Sequence, residues 1–244
     1  MKAMILAAGF GERLRPLTET TPKPLLKVGD KPLIQYHIER LAKAGVRELV
    51  INTSWLGDQV ESFVGDGSRF GVNVQFSRED EPLETGGGIR NALPLLGGDP
   101  FLVVNGDVWT DYPLETLVNR NWSDDIEVHL VLVPNPEHHP KGDFQLSEQG
   151  IISYPDGGDA HTFSGISVMR PEIFALYPSA SKKFAIRDVL VKSIEGGYAS
   201  GELFTGKWWD IGTVERLCAL DTLLTGREVN PDMLGKIRAG GAIA

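Results

Sequence analysis

The fold is decided by the stretch AMILAAGFGERLRPLT, residues 3–18. Apolar side chains fill positions 3–8 before Gly9 and Gly11 interrupt them and Glu12 and Arg13 introduce charge. An apolar run of this length that ends in glycine is typical of a strand buried on both faces. The early glycines and charges argue against a signal peptide. We therefore predict a first strand over 3–8, followed by a glycine loop at its carboxyl end.

Helix-like and strand-like segments alternate from this strand to residue 105. The spacing of apolar residues predicts helices over 32–43, 56–64 and 88–96, and strands over 48–52, 72–77 and 101–105. Such alternation predicts an α/β fold with a doubly wound, mostly parallel, Rossmann-like sheet. Ligands of such sheets bind beyond the carboxyl ends of the strands, where the glycine loop also lies.

The pattern changes after residue 107. Short strand-like segments between turns rich in proline and glycine predict a small antiparallel extension, which makes the sheet mixed. These strands are predicted over 127–133, 144–146, 151–154 and 162–169. Helices are predicted again over 171–177, 185–195 and 213–224, with a strand over 198–205.

Composition excludes several classes of protein. The 244 residues are 41% hydrophobic and 23% charged, as in ordinary folded domains, which argues against disorder over most of the length. The formal net charge of −9 argues against general affinity for nucleic acid or an anionic membrane, and no segment approaches the roughly 20 apolar residues that span a bilayer. The single cysteine, Cys218, excludes an internal disulfide, and we expect a cytoplasmic protein.

The glycine loop and the residues after it concentrate positive charge. Residues 1–31 hold six basic and three acidic side chains, although the whole chain is acidic. Gly9 and Gly11 let the backbone approach a bulky anion, and Arg13 and Lys23 would complete a phosphate cradle with the loop amides. The dinucleotide-binding fingerprint fails because Leu14 stands at its third glycine position. The alternative to a phosphate-binding loop is an ordinary strand-to-helix turn with solvated charges.

Six segments resemble the sugar-1-phosphate nucleotidyltransferase family. They are GFGERLRPLT (9–18), PKPLL (22–26), KPLI (31–34), EPLETGGG (81–88), VNGD (104–107) and WDIGT (209–213). The resemblance implies one domain over 1–225, with a nucleotide half over about 1–110, a sugar-binding half over about 111–225 that includes the antiparallel extension, and a C-terminal tail over 226–244. The implied reaction joins a nucleoside triphosphate to a sugar 1-phosphate and releases pyrophosphate.

The resemblance implies catalytic roles for two cations of the cradle. Arg13 would contact the leaving pyrophosphate, and Lys23 the phosphates that flank the reacting centre. An ionised phosphate oxygen is already a competent nucleophile, so the protein has mainly to position two anions and offset their repulsion. The implied nucleotide-binding residues are Ala7, Ala8, Gly9, Gly11, Glu12, Arg13, Lys23, Thr85, Gly86 and Gly87.

The resemblance also implies that Asp107 and Asp210 hold Mg²⁺. Asp107 lies just past the predicted strand 101–105, where an oxygen ligand can hold a hard cation that bridges nucleotide phosphates. The alternative role of an aspartate at a strand end is a helix cap.

The base and the sugar are marked less clearly. Glu79 stands where many pyrimidine-using members have Gln, and a carboxylate accepts a hydrogen bond from uracil or guanine alike. Glu84 stands where the family more often has Gly. The family's sugar-gripping Glu-Lys-Pro element is replaced by Ser153, Tyr154 and Pro155. The sugar-binding candidates, each alternatively a plain surface or turn residue, are Asn105, Asp143, Gly165, Thr205 and Lys207.

The glycine loop and the Trp-Trp-Asp element at 208–210 are most similar to members that use UTP and N-acetylmuramic acid 1-phosphate in cell-wall recycling. The missing glutamate near Ser153 would admit the lactyl carboxylate of that sugar, and Lys207 is a candidate partner for it. The alternatives are guanylyl transfer to mannose 1-phosphate, thymidylyl transfer to glucose 1-phosphate, and a regulatory subunit that binds a nucleotide sugar without catalysis. The sequence leaves the oligomeric state open.

The pair His138 and His139 lacks the spacing of zinc ligands and is predicted to lie in a solvated loop.

Overall fold

A computed structural model describes residues 1–175 and 181–227; the predicted tail beyond residue 227 and the end of the predicted helix 171–177 lie outside the described residues. The strands are β1 (Ala3–Leu6), β2 (Lys27–Val28), β3 (Lys31–Pro32), β4 (Glu48–Thr53), β5 (Asn73–Arg78), β6 (Phe101–Asn105), β7 (Val108–Thr110), β8 (Val128–Val133), β9 (Gln145–Leu146), β10 (Ile152–Ser153), β11 (Thr162–Met169), β12 (Ala199–Leu203) and β13 (Trp208–Asp210). The helices are α1 (Leu17–Thr20), α2 (Leu33–Lys43), α3 (Gly57–Val64), α4 (Glu84–Leu96), α5 (Glu115–Val118), α6 (Glu172–Ala175), α7 (Ile186–Glu195) and α8 (Val214–Thr225).

Seven strands form one twisted sheet in the order β12-β8-β11-β6-β1-β4-β5. Strand β11 is antiparallel to both of its neighbours, and the other six strands run in one direction. This confirms the predicted mixed, mostly parallel α/β sheet. The end of β1 lies between the ends of β4 and β6, since Leu6 is in register with Asn52 on one side and Asn105 on the other. The glycine loop therefore leaves the sheet between two other strand ends.

The predicted antiparallel extension is divided between the large sheet and small ones. Strands β8 and β11 join the large sheet, because β8 is buried along its whole length and needs cover on both faces. The segments around 144–146 and 151–154 form the two-stranded sheet β9-β10, as an extension would. Two further antiparallel pairs, β2-β3 and β7-β13, were not predicted.

Helix α4 begins four residues before its predicted start and contains the glycine run. A Cβ atom on Gly86 would lie 2.6 Å from the ring of Phe184, and one on Gly87 would lie 2.2 Å from the carbonyl oxygen of Lys182. The missing side chains thus let α4 pack directly against the segment that leads into α7. The glycines serve close packing within a helix.

Three apolar clusters hold the molecule together. Two lie on opposite faces of the large sheet, since successive residues of β1 alternate between them. The third cluster joins two parts of the chain. Leu14 and Leu17, which follow the glycine loop, pack in it with Ile211 after β13 and Leu217 of α8. It brings the glycine loop and the end of β13 to the same edge of the molecule. Among the described residues, no helix has the length and hydrophobicity needed to cross a membrane.

Candidate active site

A cleft of about 560 Å³ opens where the strands β1, β4, β5 and β6 end. This is the position expected for a ligand of a doubly wound sheet. The predicted nucleotide-binding residues that line it are Ala7, Ala8, Gly9, Gly11, Glu12, Arg13, Lys23 and Thr85. Gly86 and Gly87 do not line the cleft; the amide of Gly87 donates to the carbonyl oxygen of Phe184 (3.1 Å).

The glycine loop has a defined shape. Gly11 adopts a left-handed conformation with φ of 65°, and a Cβ there would lie 2.8 Å from the methyl group of Thr18. The carbonyl oxygen of Gly11 accepts hydrogen bonds from the amide of Leu14 (2.8 Å) and the hydroxyl of Thr18 (2.9 Å). By contrast, nothing lies within 4 Å of the Cβ position of Gly9. The loop is closed at Gly11 and leaves open space beside Gly9 for a ligand.

Lys23 and Asp107 meet at the floor of the cleft. Lys23 lies in a single 3₁₀ turn (Lys23–Leu25), and its Nζ is 2.6 Å from Oδ2 of Asp107. Burial by itself would raise the pKa of Asp107, but the charge and hydrogen bond of Lys23 outweigh it and hold that pKa below its ordinary value. Asp107 is therefore ionised at neutral pH.

Asp210 lies next to this pair, on the neighbouring strand. Asp210 is opposite Val108 in the β7-β13 ladder, and the amide of Ile211 donates to the carbonyl oxygen of Asp107 (2.7 Å). Both carboxylate oxygens of Asp210 lie 2.5 Å from Nη1 of Arg216. The Nε2 atom of His138 lies 3.0 Å from Oδ1 of Asp210, so the loop predicted to be solvated contacts a site residue.

The two aspartates fit a hard divalent cation. Mg²⁺ is usually held by one or two carboxylates and takes its other ligands from water and phosphate oxygens. Asp107 and Asp210 supply such a pair, and the amide of Ile211, the residue after Asp210, donates to the carbonyl oxygen of Asp107. In the part of the chain that the structure describes, no group of three or more histidine, cysteine or acidic side chains could form a metal cage. Water and the phosphate oxygens of a ligand would complete the coordination shell.

Glu79 links the glycine loop to the segment before α4. Its side chain is buried; Oε1 accepts from Nδ2 of Asn52 (2.7 Å) and Oε2 from the amide of Leu83 (2.9 Å). Asn52 in turn accepts from the amide of Ala7 (2.7 Å). Burial raises the pKa of Glu79 above its ordinary value, although both hydrogen bonds oppose this. Glu79 lines the cleft, and each of its oxygens accepts a hydrogen bond from the protein.

Glu84 also lines the cleft, in an unusual conformation. Its φ of 61° is in the left-handed region, which residues other than Gly, Asn and Asp rarely adopt. This position is the one where family members more often have glycine, and the backbone shape explains that preference.

The structure separates the five sugar-binding candidates. Asn105 lines the cleft, and Gly165 lies against Asn105. A Cβ on Gly165 would be 2.8 Å from the side-chain nitrogen Nδ2 of Asn105. Asp143 lies outside the cleft lining, contacts Nε2 of His139 at 3.1 Å and accepts from a strand amide. Thr205 and Lys207 are exposed and do not line the cleft.

Sequence reasoning missed Arg216 and the contact of His138. Arg216 lies in the first turn of α8, which Thr213 caps by accepting from the amide of Arg216. A helix dipole disfavours cations in that turn, so an arginine there is a signal of another role. The approach of His138 is a tertiary contact across 72 residues of chain and leaves no such signal.

Comparison with known proteins agrees with this geometry. The family model described as nucleotidyl transferase matches residues 2–225. The N-acetylmuramate alpha-1-phosphate uridylyltransferase of Neisseria meningitidis serogroup B is 51% identical over 221 residues, which cover 89% of this chain and 95% of that protein. The protein of the same name from Caulobacter vibrioides is 32% identical, with 91% and 96% covered.

More distant matches support the fold. The mannose-1-phosphate guanylyltransferase catalytic subunit beta of Xenopus tropicalis is 33% identical over 87% of this chain and 61% of its own length. A crystal structure assigned as a glucose-1-phosphate thymidylyltransferase from Bacillus anthracis has a TM-score of 0.83 at 24% identity and covers 94% of this chain and 97% of that one. The match of the family model to nearly the whole described chain, on a fold and cleft of the expected form, shows that this chain belongs to the nucleotidyl transferase family.

Proposed function

We propose that this protein transfers UMP from UTP to N-acetylmuramic acid 1-phosphate and releases pyrophosphate. The observation that carries the reaction class is the meeting of Lys23, Asp107 and Arg13 in a single cleft. Asp210 lies outside the cleft lining, on the strand next to Asp107. The substrate pair is supported by the names of the two relatives that match over nearly their full length. A cytoplasmic location follows from the proposed use of UTP.

The mechanism needs no general base from the protein. The phosphate oxygen of the sugar 1-phosphate attacks the α-phosphorus in line, and pyrophosphate leaves on the opposite side. Lys23 stabilises charge at the reacting centre, while Arg13 and the loop amides around Gly9 hold the leaving group. A divalent metal is general in the family; Mg²⁺ bound by Asp107 and Asp210 would neutralise phosphate charge.

We further propose that residues 1–225 act as one catalytic domain, with the sugar on the side of Asn105 and Gly165. The close contact of these two residues at the end of β6 supports this arrangement. Asp143, Thr205 and Lys207 stay predictions, and Lys207 has to reach the lactyl carboxylate from an exposed position outside the cleft.

A matrix of substrates tests the proposal. Pyrophosphate release is measured with UTP, dTTP and GTP, each combined with the 1-phosphates of N-acetylmuramic acid, mannose and glucose, and with Lys23→Ala as the blank. We expect the highest kcat/KM for UTP with N-acetylmuramic acid 1-phosphate. A higher value for GTP with mannose 1-phosphate would contradict the substrate pair and retain the enzyme class, and no release from any pair would contradict both.

A further inference from the structure

Two arginines from distant parts of the chain meet at Gly212. A Cβ atom on Gly212 would lie 2.2 Å from Nη2 of Arg216 and 3.1 Å from Nη1 of Arg13. Any side chain at this position would displace the guanidinium of Arg216 and crowd that of Arg13. Gly212 itself lines the cleft, so the two groups converge at its wall.

The charges at this point are not balanced. Arg216 is paired with Asp210, and Lys23 is paired with Asp107. Arg13 is exposed, and within residues 1–175 and 181–227 it has no carboxylate partner. Of the two guanidinium groups beside Gly212, only that of Arg216 has a carboxylate partner among the described residues, so the guanidinium of Arg13 is available to an anion in the cleft.

The pairing of Arg216 also conflicts with metal binding. Its Nη1 contacts both oxygens of Asp210, and these are the oxygens that a divalent cation would take. A divalent cation on these oxygens would draw on the same negative charge and repel the guanidinium, so a metal on Asp210 weakens the hold of this carboxylate on Arg216. The released group already lies beside Arg13, where a planar guanidinium can bind phosphate oxygens through two hydrogen bonds.

We propose that Arg216 is a second pyrophosphate-binding residue, which pairs with Asp210 while the metal is absent and turns to the phosphates beside Arg13 when a divalent cation occupies Asp210. This inference rests on the proposed reaction only in that pyrophosphate is its product. It does not depend on which base or sugar is used.

The first test measures binding of inorganic pyrophosphate by calorimetry, with and without Mg²⁺. With Mg²⁺, Arg216→Met is expected to raise Kd about tenfold to a hundredfold, the usual effect of losing one charge-assisted contact. Without Mg²⁺, wild type and variant should differ by less than about threefold, because Arg216 then remains on Asp210. Arg47→Met is the matched control; it lies before β4, at the opposite end of the strands from the cleft. Equal Kd values for wild type and Arg216→Met with Mg²⁺ would overturn the proposal.

The second test measures Mn²⁺ binding by electron paramagnetic resonance in the absence of any phosphate ligand. Arg216→Met should bind Mn²⁺ more tightly than wild type, since the competing cation is gone. Unchanged or weaker Mn²⁺ binding would show that Arg216 only anchors α8, and would overturn the exchange.

If Arg216→Met does not give a cooperative thermal transition, Arg216→Lys replaces it. Lysine keeps the charge without the planar fork, so an intermediate loss of pyrophosphate affinity is expected. Failure of the substrate matrix above would leave both binding results unaffected, so the two proposals fail separately.

Discussion

At the scale of single residues, the contact between Lys23 and Asp107 sets the charge of the reacting centre. The Nζ to Oδ2 distance is 2.6 Å, and 13% of the lysine side chain is exposed. The lowered pKa of Asp107 means that this carboxylate is ionised at neutral pH. Such a preorganised cation needs no rearrangement when negative charge develops during phosphoryl transfer.

Lys23→Ala is therefore expected to slow the chemical step by a factor on the order of 10²–10³, as when one preorganised donor is removed from a reacting centre. The measurement is the rate of pyrophosphate release in a single turnover with saturating UTP. Lys27→Ala serves as the control, because Lys27 is exposed on β2. A rate within about twofold of wild type would show that Lys23 binds only the ground state.

At the scale of elements, long periodic segments could be predicted, whereas several short ones could not. The bounds of β6 and α7 match their predictions to within one residue, because an amphipathic or fully buried segment carries its own pattern. Strands β7 and β13 have three residues each and form only because they pair with each other. The site follows the same rule: the glycine loop was predictable from local motif chemistry, whereas His138 reaches Asp210 across 72 residues of chain through tertiary packing.

The glycine run of α4 gives a prediction at this scale. Ala is favoured over Gly inside a helix by about 1 kcal/mol, but the methyl group of Gly87→Ala would meet the Lys182 carbonyl oxygen at 2.2 Å. Overpacking of this kind costs about 1–3 kcal/mol, and the clash is with backbone, which moves little. We expect a net loss of stability in urea unfolding. Gly98→Ala is the control, since nothing lies within 4 Å of its Cβ position. A Gly87→Ala variant as stable as wild type would mean that the segment 182–185 moves to make room for the methyl group.

The link formed by Glu79 between β5 and the glycine loop predicts a pH effect. Because burial raises the pKa of Glu79, the folded state binds the proton of this side chain more tightly than the unfolded chain does. Glu79 therefore destabilises the fold increasingly as the pH rises above 4.5, the ordinary pKa of the side chain. Glu79→Gln removes the titration. The difference in unfolding free energy, variant minus wild type, should therefore increase between about pH 4 and pH 7. Urea unfolding at both pH values measures it, with Glu81→Gln, an exposed neighbour, as the control; a difference that does not change with pH would contradict the raised pKa.

At the scale of the whole molecule, an acidic protein has to bind two polyanions. The net charge of −9 repels both substrates at long range, so the short-range charges in the cleft must offset this repulsion. Arg13 and Lys23 come from the chain after β1, and Arg216 comes from α8. The third apolar cluster joins these two parts of the chain, and it therefore stabilises the arrangement of charges as well as the fold.

Ligand binding at this edge of the sheet stabilises the whole molecule by mass action, which gives a test of the metal ligands. UTP at about 100 times its Kd should add roughly 2.7 kcal/mol to the free energy of unfolding, and part of this gain should require Mg²⁺. Asp107→Ala and Asp210→Ala remove one carboxylate each and touch none of the three apolar clusters. Each partly exposed ion pair is worth about 0–1 kcal/mol, so we expect the melting temperature without ligand to fall by at most about 4 °C.

The increment that Mg²⁺ adds to stabilisation by UTP should disappear in both variants, as measured by thermal melts with UTP in the presence and absence of Mg²⁺. Asp99→Ala, exposed between α4 and β6, is the matched control and should keep the full increment. An increment retained in Asp107→Ala would place the metal elsewhere. One retained only in Asp210→Ala would mean that Asp107 holds the cation alone, and that the carboxylate paired with Arg216 serves the arginine and not the metal.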